Sequence, residues 1–400
     1  MRKVFLLGFF VFLGCHVMAQ DTIRVMYYNL LNFPSTSPER IVYLRKIMAY
    51  AKPDVLVVNE LLDADGSDLI LNEALNVGGV THFEAATYVD GPDTDNMLYY
   101  NADLLGLRSQ LQIPTGLRDI SKYDLYYKSP GLVEDSDTVI LHIFSLHLKA
   151  GSGYFNQRKE EAIIFKYHLN TMSNRENIIA GGDFNFYSGN ESGHLAMRET
   201  GSIELYDPIN SIGDWNNNAS YAYLHTQSTR ESPLGDGAGG GMDDRFDLIF
   251  ISNDLLENTN GLSYLEDSYQ ALGQDGARFN QSINIPFNPT IPDSIAVALY
   301  LMSDHLPVMM DFITDYTANL SQDANQLPIQ VWYDYTHQNL MIKNASAGAI
   351  ITLYDSTGKR LFNYECTTSL IAQIPIELTH GVYCWQLVSD SKHRTGKIAF

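Results

Sequence analysis

The sequence predicts an α/β catalytic unit followed by a small all-β domain, and three observations carry that expectation. Six apolar runs of strand length abut residues able to hold a metal, a proton or a phosphate: Val25–Asn29, Val55–Glu60, Ile140–His147, Asn177–Asn185, Arg245–Phe250 and the run at Ser303-Asp304-His305. Segments with apolar residues at helical spacing lie between several of them, so strands alternate with helices. Beyond residue 317 the chain changes to short alternating runs divided by turn residues, the pattern of a small β-sandwich. Six such strand ends suggest one crevice lined by strand termini, the usual ligand position in α/β sheets.

In chain order, Met1-Arg2-Lys3, the apolar stretch Val4–Gly14 and Val17-Met18-Ala19 before Gln20 read as a secretory signal peptide over residues 1–19. Cys15 leaves a lipoprotein alternative open. No later segment reaches about 18 consecutive apolar residues, so no membrane span is expected, and the mature chain is expected to be secreted or at the cell surface, via the periplasm. A strand over Ile23–Tyr28 leads to Asn29. Ser37-Pro38-Glu39 starts a helix carrying Ile41, Leu44, Ile47 and Met48 on one face, and Pro53-Asp54 ends it. Val55–Val58 form the next strand, and a second helix is expected over about Ser67–Leu75.

From Phe83 to Tyr127 the pattern predicts short antiparallel strands: Met97–Tyr100, Leu104–Leu111 and Tyr123–Tyr127. A strand over Val139–Leu148, a helix over Asn156–Met172 and the strand ending at Asp183 repeat the opening design. The paired glycines Gly181-Gly182 close that strand where something must pass beside the backbone. Asp183 and Asn185, two apart in extended chain, then share a face. The glycine-rich run Gly235–Gly241 reads as a mobile loop near the crevice, and Asn253–Pro292 as an irregular cap. The domain plan is therefore a catalytic unit over 20–316, a linker over 317–327 and a β-sandwich over 328–400.

Cys366 and Cys384 are the cysteines left after the signal, so a disulfide is open only in the tail and thiol catalysis is excluded from the catalytic unit. Residues 20–317 carry 18 Lys+Arg against 41 Asp+Glu, a net charge of −23. That field repels polyanions at long range and attracts divalent cations.

In this order, the Asn-ended first strand, Asn59-Glu60, Ser145-Leu146-His147-Leu148, Gly182-Asp183-Phe184-Asn185, Arg245-Phe246-Asp247 and Ser303-Asp304-His305 resemble the endonuclease/exonuclease/phosphatase superfamily over residues 22–314. The resemblance implies a four-layer sandwich of two mixed β-sheets flanked by helices, and metal-dependent hydrolysis of phosphate esters. It implies Mg²⁺, with Mn²⁺ or Ca²⁺ as alternatives, held by Glu60, Asn29 and Asp304. His305 is implied as general base or phosphate-facing imidazolium, oriented by Asp247. Asp183 would orient the attacking water, Asn185 stabilise the phosphorus centre, and His147 bind phosphate or protonate the leaving oxygen. Asp95 would pair with His147, and Arg118 and Arg278 would clamp phosphate. The tail, with Leu353–Lys359, Gly381-Val382-Tyr383 and Gly396–Phe400, resembles the C-terminal sorting domains of type IX secretion, whose machinery is then a partner.

Substrate is where the residues discriminate least. The expectation places an extracellular nuclease ahead of a sphingomyelinase-like or small-molecule phosphodiesterase or phosphatase, with nucleic acid, phospholipid and small esters all admitted. A non-catalytic surface-binding protein on the same fold is the rival from another class.

Overall fold

The computed structural model describes residues 21–128, 139–199, 201, 203–314 and, with short gaps, 330–399. The expected signal peptide and linker, and Ser356, Thr357 and Phe400 of the sorting-domain motifs, lie outside the described residues. The chain divides into two compact units, Met1–Asn319 and Leu320–Phe400.

In the first unit the order is β1 (Thr22–Phe33), α1 (Ile41–Ala51), β2 (Val55–Leu61), α2 (Ala64–Leu69), β3 (Phe83–Ala85), β4 (Asp95–Asn101), β5 (Leu105–Ile113), β6 (Ile120–Tyr127) and β7 (Ile140–His147). There follow α3 (Phe155–Thr171), β8 (Ile178–Asp183), α4 (Ser192–Glu199), β9 (Leu205–Tyr206), β10 (Asp247–Ser252), α5 (Asn253–Glu257), β11 (Leu262–Tyr264), β12 (Gln270–Ala271), α6 (Asp293–Met302) and β13 (Val308–Thr314). One sheet runs β11-β13-β1-β2-β4-β3, with β12 also on β13, and the other runs β5-β6-β7-β8-β10-β9. Both are mixed: β1 pairs parallel with β2 and β7 with β8, beside antiparallel neighbours.

The sheets stack face to face because each presents apolar side chains to the other. Tyr27, Val25 and Val57 of the first sheet share a core with Ile143, Ile179 and Ile249 of the second. The opposite face of the second sheet, Phe144, Leu146, Ile178 and Ala180, packs on Phe165 and Leu169 of α3. Ile41, Leu44 and Ile47 of α1 and Ile295, Ala298 and Leu299 of α6 cover the first sheet from outside. The result is the four-layer sandwich. Each buried Leu, Ile, Val or Phe contributes about 1.5–3 kcal/mol, and β2, buried at its first five positions, reads for that reason as one apolar run. Gly181 is required by close approach: a Cβ there would sit 2.5 Å from the Tyr27 ring.

Three departures from expectation stand out, and the first is that the stretch Asn253–Pro292, expected as irregular, carries α5, β11 and β12. The second helix starts at Ala64, capped by Asp63, whose side chain accepts from Gly66 N at 2.6 Å, and continues as a π-helical turn over Ile70–Leu75. The apolar run before Ser303 is α6, a helix that buries Ile295, Ala296, Ala298, Leu299 and Met302, so Asp304 and His305 sit in the turn between α6 and β13 rather than at a strand end.

The second unit holds β14 (Gln330–Asp334), β15 (Asn339–Lys343), β16 (Ile350–Tyr354), β17 (Arg360–Glu365), β18 (Ile371–Pro375), β19 (Val382–Ser389) and β20 (Lys392–Ala399). They form the antiparallel sheets β14-β15-β18 and β17-β16-β19-β20 around Leu340, Ile342, Ile351, Leu353 and Leu387. Cys366 and Cys384 are free thiols, so the disulfide left open by the sequence is not formed. Among the described residues no helix is long and apolar enough to cross a membrane.

Candidate active site

Strand register assembles the site. His147 at the end of β7 lies opposite Asp183 at the end of β8, and Asp247 at the start of the antiparallel β10 lies opposite Asp183 from the other side. The first sheet supplies Asn29 and Glu60, where the β1–β2 register shifts after Asn29↔Asn59. Glu60 takes a left-handed conformation, φ 58°, which costs on the order of 1–2 kcal/mol in an L-residue and turns its carboxylate toward the second sheet.

Asn29 fixes the two acids together: its Nδ2 donates to Glu60 Oε1 at 2.9 Å and to Asp183 Oδ2 at 3.0 Å. Its Oδ1 accepts Leu31 N at 2.9 Å, so the amide orientation is set by a backbone donor. Asn29, expected as a metal ligand, acts as a clamp on the two acids through its Nδ2, and its Oδ1 keeps a second lone pair beside the Leu31 N–H. Glu60 Oε2 accepts Asn32 N at 3.0 Å. His147 Nε2 stands 3.6 Å from both Glu60 Oε1 and Asp183 Oδ2.

Glu60, Asp183 and His147 each offer a ligand atom within 4.8 Å of the others. Burial pushes the Asp183 carboxyl up to about 7, with Asp247 and Glu60 adding repulsion that His305 partly opposes. Burial, with the positive charges of Arg118, His305 and Lys149, holds His147 well below its ordinary value, so it is a neutral imidazole whose Nδ1 is buried without a partner. Crowded carboxylate oxygens beside a neutral imidazole fit a divalent cation, which relieves the repulsion. Glu60 and Asp183 would hold it, with His147 beside them.

His305 Nδ1 donates to Asp247 Oδ2 at 2.8 Å, as expected, and its Nε2 faces Asp183 Oδ2 at 3.7 Å. Burial alone would lower its pKa, but Asp247 and Asp183 outweigh that and hold it well above the ordinary value. Thr226 braces the acid: its Oγ1 donates to Asp247 Oδ2 at 2.7 Å and accepts Asp247 N at 3.1 Å. Asp304, the other expected metal ligand, is tied to the glycine-rich loop through one oxygen: its Oδ2 accepts Ala238 N at 2.7 Å and Gln227 Nε2 at 3.1 Å, while its Oδ1 is buried without a partner. That loop does border the crevice, since a Cβ on Gly237 would meet Leu31 at 2.9 Å and Asp304 at 3.3 Å.

The remaining expected residues divide. Asn185 stands beside Asp183, its backbone N donating to Asp183 Oδ1 at 3.0 Å and its amide to Leu148 O at 3.2 Å. Arg118 reaches the same corner, 2.9 Å from Asp93 Oδ2 and close enough to act on His147. Asp95 does not pair with His147: its carboxylate accepts Tyr88 OH and Gly91 N. Arg278 is no phosphate clamp: it is 3% exposed and its guanidinium donates to Asp275, Ser282 O, Pro286 O and Phe287 O. Three site residues escaped the sequence reading: Thr226, Gln227, and Asn59, whose Oδ1 accepts Asp183 N at 3.3 Å while its Nδ2 donates to Asn96 and Ser145. Asn59 stood next to Glu60 in a quoted motif, but Thr226 and Gln227 lie in a loop without pattern.

A model of the Endonuclease/Exonuclease/phosphatase family matches residues 26–305. A search of the curated proteins found no match. Among solved structures the chain is similar to D. rerio TDP2 complexed with single strand DNA product, at 12% identity, covering 73% of this chain and 98% of that one with a TM-score of 0.49. It is similar to the human Nocturnin catalytic domain with bound sulfate anion at 15% identity, 74% and 98% coverage and 0.46. The corresponding values for the Bacteroides thetaiotaomicron mannosyl-6-phosphatase are 17%, 72%, 99% and 0.46. The family match takes in the residues that build the site, from Asn29 to His305, and seven tenths of the chain: the protein belongs to the endonuclease/exonuclease/phosphatase family, metal-dependent hydrolases of phosphate esters.

Proposed function

We propose that the catalytic unit hydrolyses compact phosphate esters, of sugar-phosphate size, outside the cytoplasm. The observation that carries this reading is the charge around the site. The cations that act on His147 from the protein surface are Arg118 and Lys149, one corner of a unit of net charge −23, and Arg118 is already paired with Asp93. One phosphate group finds a local positive corner there. A polynucleotide needs a track of cations along its backbone, and Arg278 is withdrawn into the fold.

In this reading a divalent cation held by Glu60 and Asp183 supplies charge to polarise the phosphate and to acidify an attacking water. The protein groups do the rest. Asp183, buried at the cation site, orients the attacking water. His305, kept positive by Asp247, faces a non-bridging oxygen from Nε2 and offsets the charge that builds up there. Asn185 orients the same phosphate, and neutral His147 accepts from or donates to the departing oxygen.

The test is a panel of p-nitrophenyl phosphate, bis-p-nitrophenyl phosphate, hexose phosphates, sphingomyelin and plasmid DNA at low salt, each with Mg²⁺, Mn²⁺ or EDTA. The reading expects the highest kcat/KM on a compact ester and none with EDTA. Plasmid DNA as the best substrate would restore the extracellular nuclease, and silence on the whole panel would favour a binding protein without chemistry. A lipid phosphodiesterase is the second reading. Ile285 and Phe287, 67% and 69% exposed, form an apolar tip held by Arg278 on a loop that pairs with the crevice-bordering segment through Ile283 N to Thr229 O at 3.0 Å. Residues 328–400, with their resemblance to sorting domains, support export through the type IX machinery.

A further inference from the structure

Asp244 is a carboxylate on the crevice face that the proposed reaction leaves unused. Its place follows from register. Gln227 is bridged antiparallel to His305 and to Asp244. Its backbone N donates to Asp244 O at 3.1 Å, and its O accepts Asp244 N at 2.9 Å. Residues paired across antiparallel chains project to one face. The Gln227 side chain meets the His305 ring, so Asp244 projects to that same face. One of its oxygens is fixed and the other is open: Asn216 Nδ2 donates to Oδ1 at 2.6 Å, and no other hydrogen bond reaches the carboxylate among the described residues. Burial, with Asp243 beside it, pushes the Asp244 carboxyl up to about 7 against the Asn216 hydrogen bond and the positive charge of His305. A half-buried carboxylate served by one donor is short of hydrogen bonds, and a further donor would stabilise its charged form. Tyr187 flanks it. That ring packs edge-on to Phe246 at 5.0 Å between centroids, with the Arg158 guanidinium 5.4 Å from the ring centre. Burial, Asp244 and Asp183 raise the pKa of the Tyr187 hydroxyl, so the ring lies in the field of both the open carboxylate and the acid at the cation site.

We propose that Asp244, oriented by Asn216 and flanked by Tyr187, is a hydroxyl-accepting subsite that selects polyol phosphates: its open Oδ2 accepts a hydrogen bond from a hydroxyl of the ester's organic part while the phosphate lies at the cation site. Charge decides the class of donor. Asp244 and Asp243 repel a second phosphate, which disfavours polyphosphates and polynucleotides. An ammonium group would meet the positive charge of His305, which already acts on Asp244. A neutral hydroxyl meets neither penalty. The inference deepens the reading of the catalytic unit as a hydrolase of compact esters and rests on it.

The subsite is tested by kcat/KM on the full chain with Mg²⁺, using a hexose 6-phosphate and a hexose 1-phosphate, the singly deoxygenated analogues of each, ethanolamine phosphate, p-nitrophenyl phosphate and plasmid DNA. In wild type, removing the hydroxyl that Asp244 reads should lower kcat/KM by about 10-fold or more, the worth of one hydrogen bond to a charged group. Asp244→Asn presents a donor at the open position, because Asn216 holds the oxygen end of the new amide, and Asp244→Ala removes the acceptor altogether. In either variant the same deoxygenation should change kcat/KM by less than about 2-fold, and the preference for the parent sugar ester over p-nitrophenyl phosphate should fall by about 10-fold. Either variant suffices, which covers the case in which one does not fold. The wild-type series is decisive without them: if no single deoxygenation costs more than about 2-fold while compact esters are hydrolysed, the subsite is overturned and the reading of the catalytic unit stands. Deoxygenation losses that persist undiminished in the Asp244 variants overturn it as well, as does preference for ethanolamine phosphate over both sugar esters. Plasmid DNA as the best substrate removes the reading and the subsite together.

Discussion

Mild acid should destabilise this protein through His194. The side chain lies in α4, 1% exposed, among the rings of Phe186, Trp215 and Phe250 at centroid distances of 5.6, 5.5 and 5.5 Å. Neither ring nitrogen makes a hydrogen bond of good geometry, and the Gly189 backbone exerts only a small opposing pull. Burial pushes its pKa from 6.5 down to about 4, against a smaller opposing pull from Asp207. The unfolded chain takes up a proton at this histidine below pH 6.5, whereas the folded chain waits until about pH 4. The unfolded state is therefore favoured progressively as pH falls through that window, and the effect levels off below it. The two pKa values give about 2 kcal/mol lost at pH 5 and about 3 kcal/mol at the limit. The assay is urea unfolding at pH 7 and pH 5 for wild type and for His194→Leu, which fills the same space without titrating. Carboxylates common to both proteins cancel in the double difference. Wild type should lose about 2 kcal/mol more than the variant between the two pH values. Equal losses, within about 0.5 kcal/mol, would refute the reasoning.

Three further outcomes follow from particular contacts. Gly181→Ala drives a Cβ to 2.5 Å from the Tyr27 ring between the sheets and should cost about 1–3 kcal/mol, read as a lowered Tm. Asp95→Asn should change turnover by less than about 3-fold, since its carboxylate serves Tyr88 and Gly91 rather than His147; a loss of about 100-fold or more would reinstate it as a partner of the catalytic histidine. Deleting residues 328–400 should leave an active enzyme that accumulates in the periplasm of the producing cell. Fractionation showing normal export with lost activity would remove the sorting reading.

Much of the layered core is visible in the sequence, and the reason is local. The parallel pairs β1–β2 and β7–β8 are buried on both faces, so they appear as apolar runs, and each run closes on a polar residue of the site, at Asn29, Glu60, His147 and Asp183. The helix α6 does not show itself, because Ile295–Met302 is apolar on nearly every side and a run without periodicity fits a buried strand equally well. Residue types announce the acids and histidines but not their partners. Whether Asn29 presents oxygen or nitrogen depends on Leu31 N, and which Asp304 oxygen is already engaged depends on Gln227, 77 positions away. The same holds for Arg278. A lone arginine in a polar loop suggests a phosphate clamp, and only the fold shows its guanidinium consumed by the carbonyls of its own loop.

The central claim is that Glu60 and Asp183, held together by Asn29, bind the divalent cation on which hydrolysis depends. The most direct measurement is turnover of bis-p-nitrophenyl phosphate, or of the best ester on the panel, across a Mg²⁺ titration for wild type and Glu60→Gln. Replacing one ligand carboxylate by an amide should move half-saturation to at least about 10-fold higher Mg²⁺, with activity abolished by EDTA in both proteins. Superimposable Mg²⁺ curves, or turnover that survives EDTA, would contradict the account.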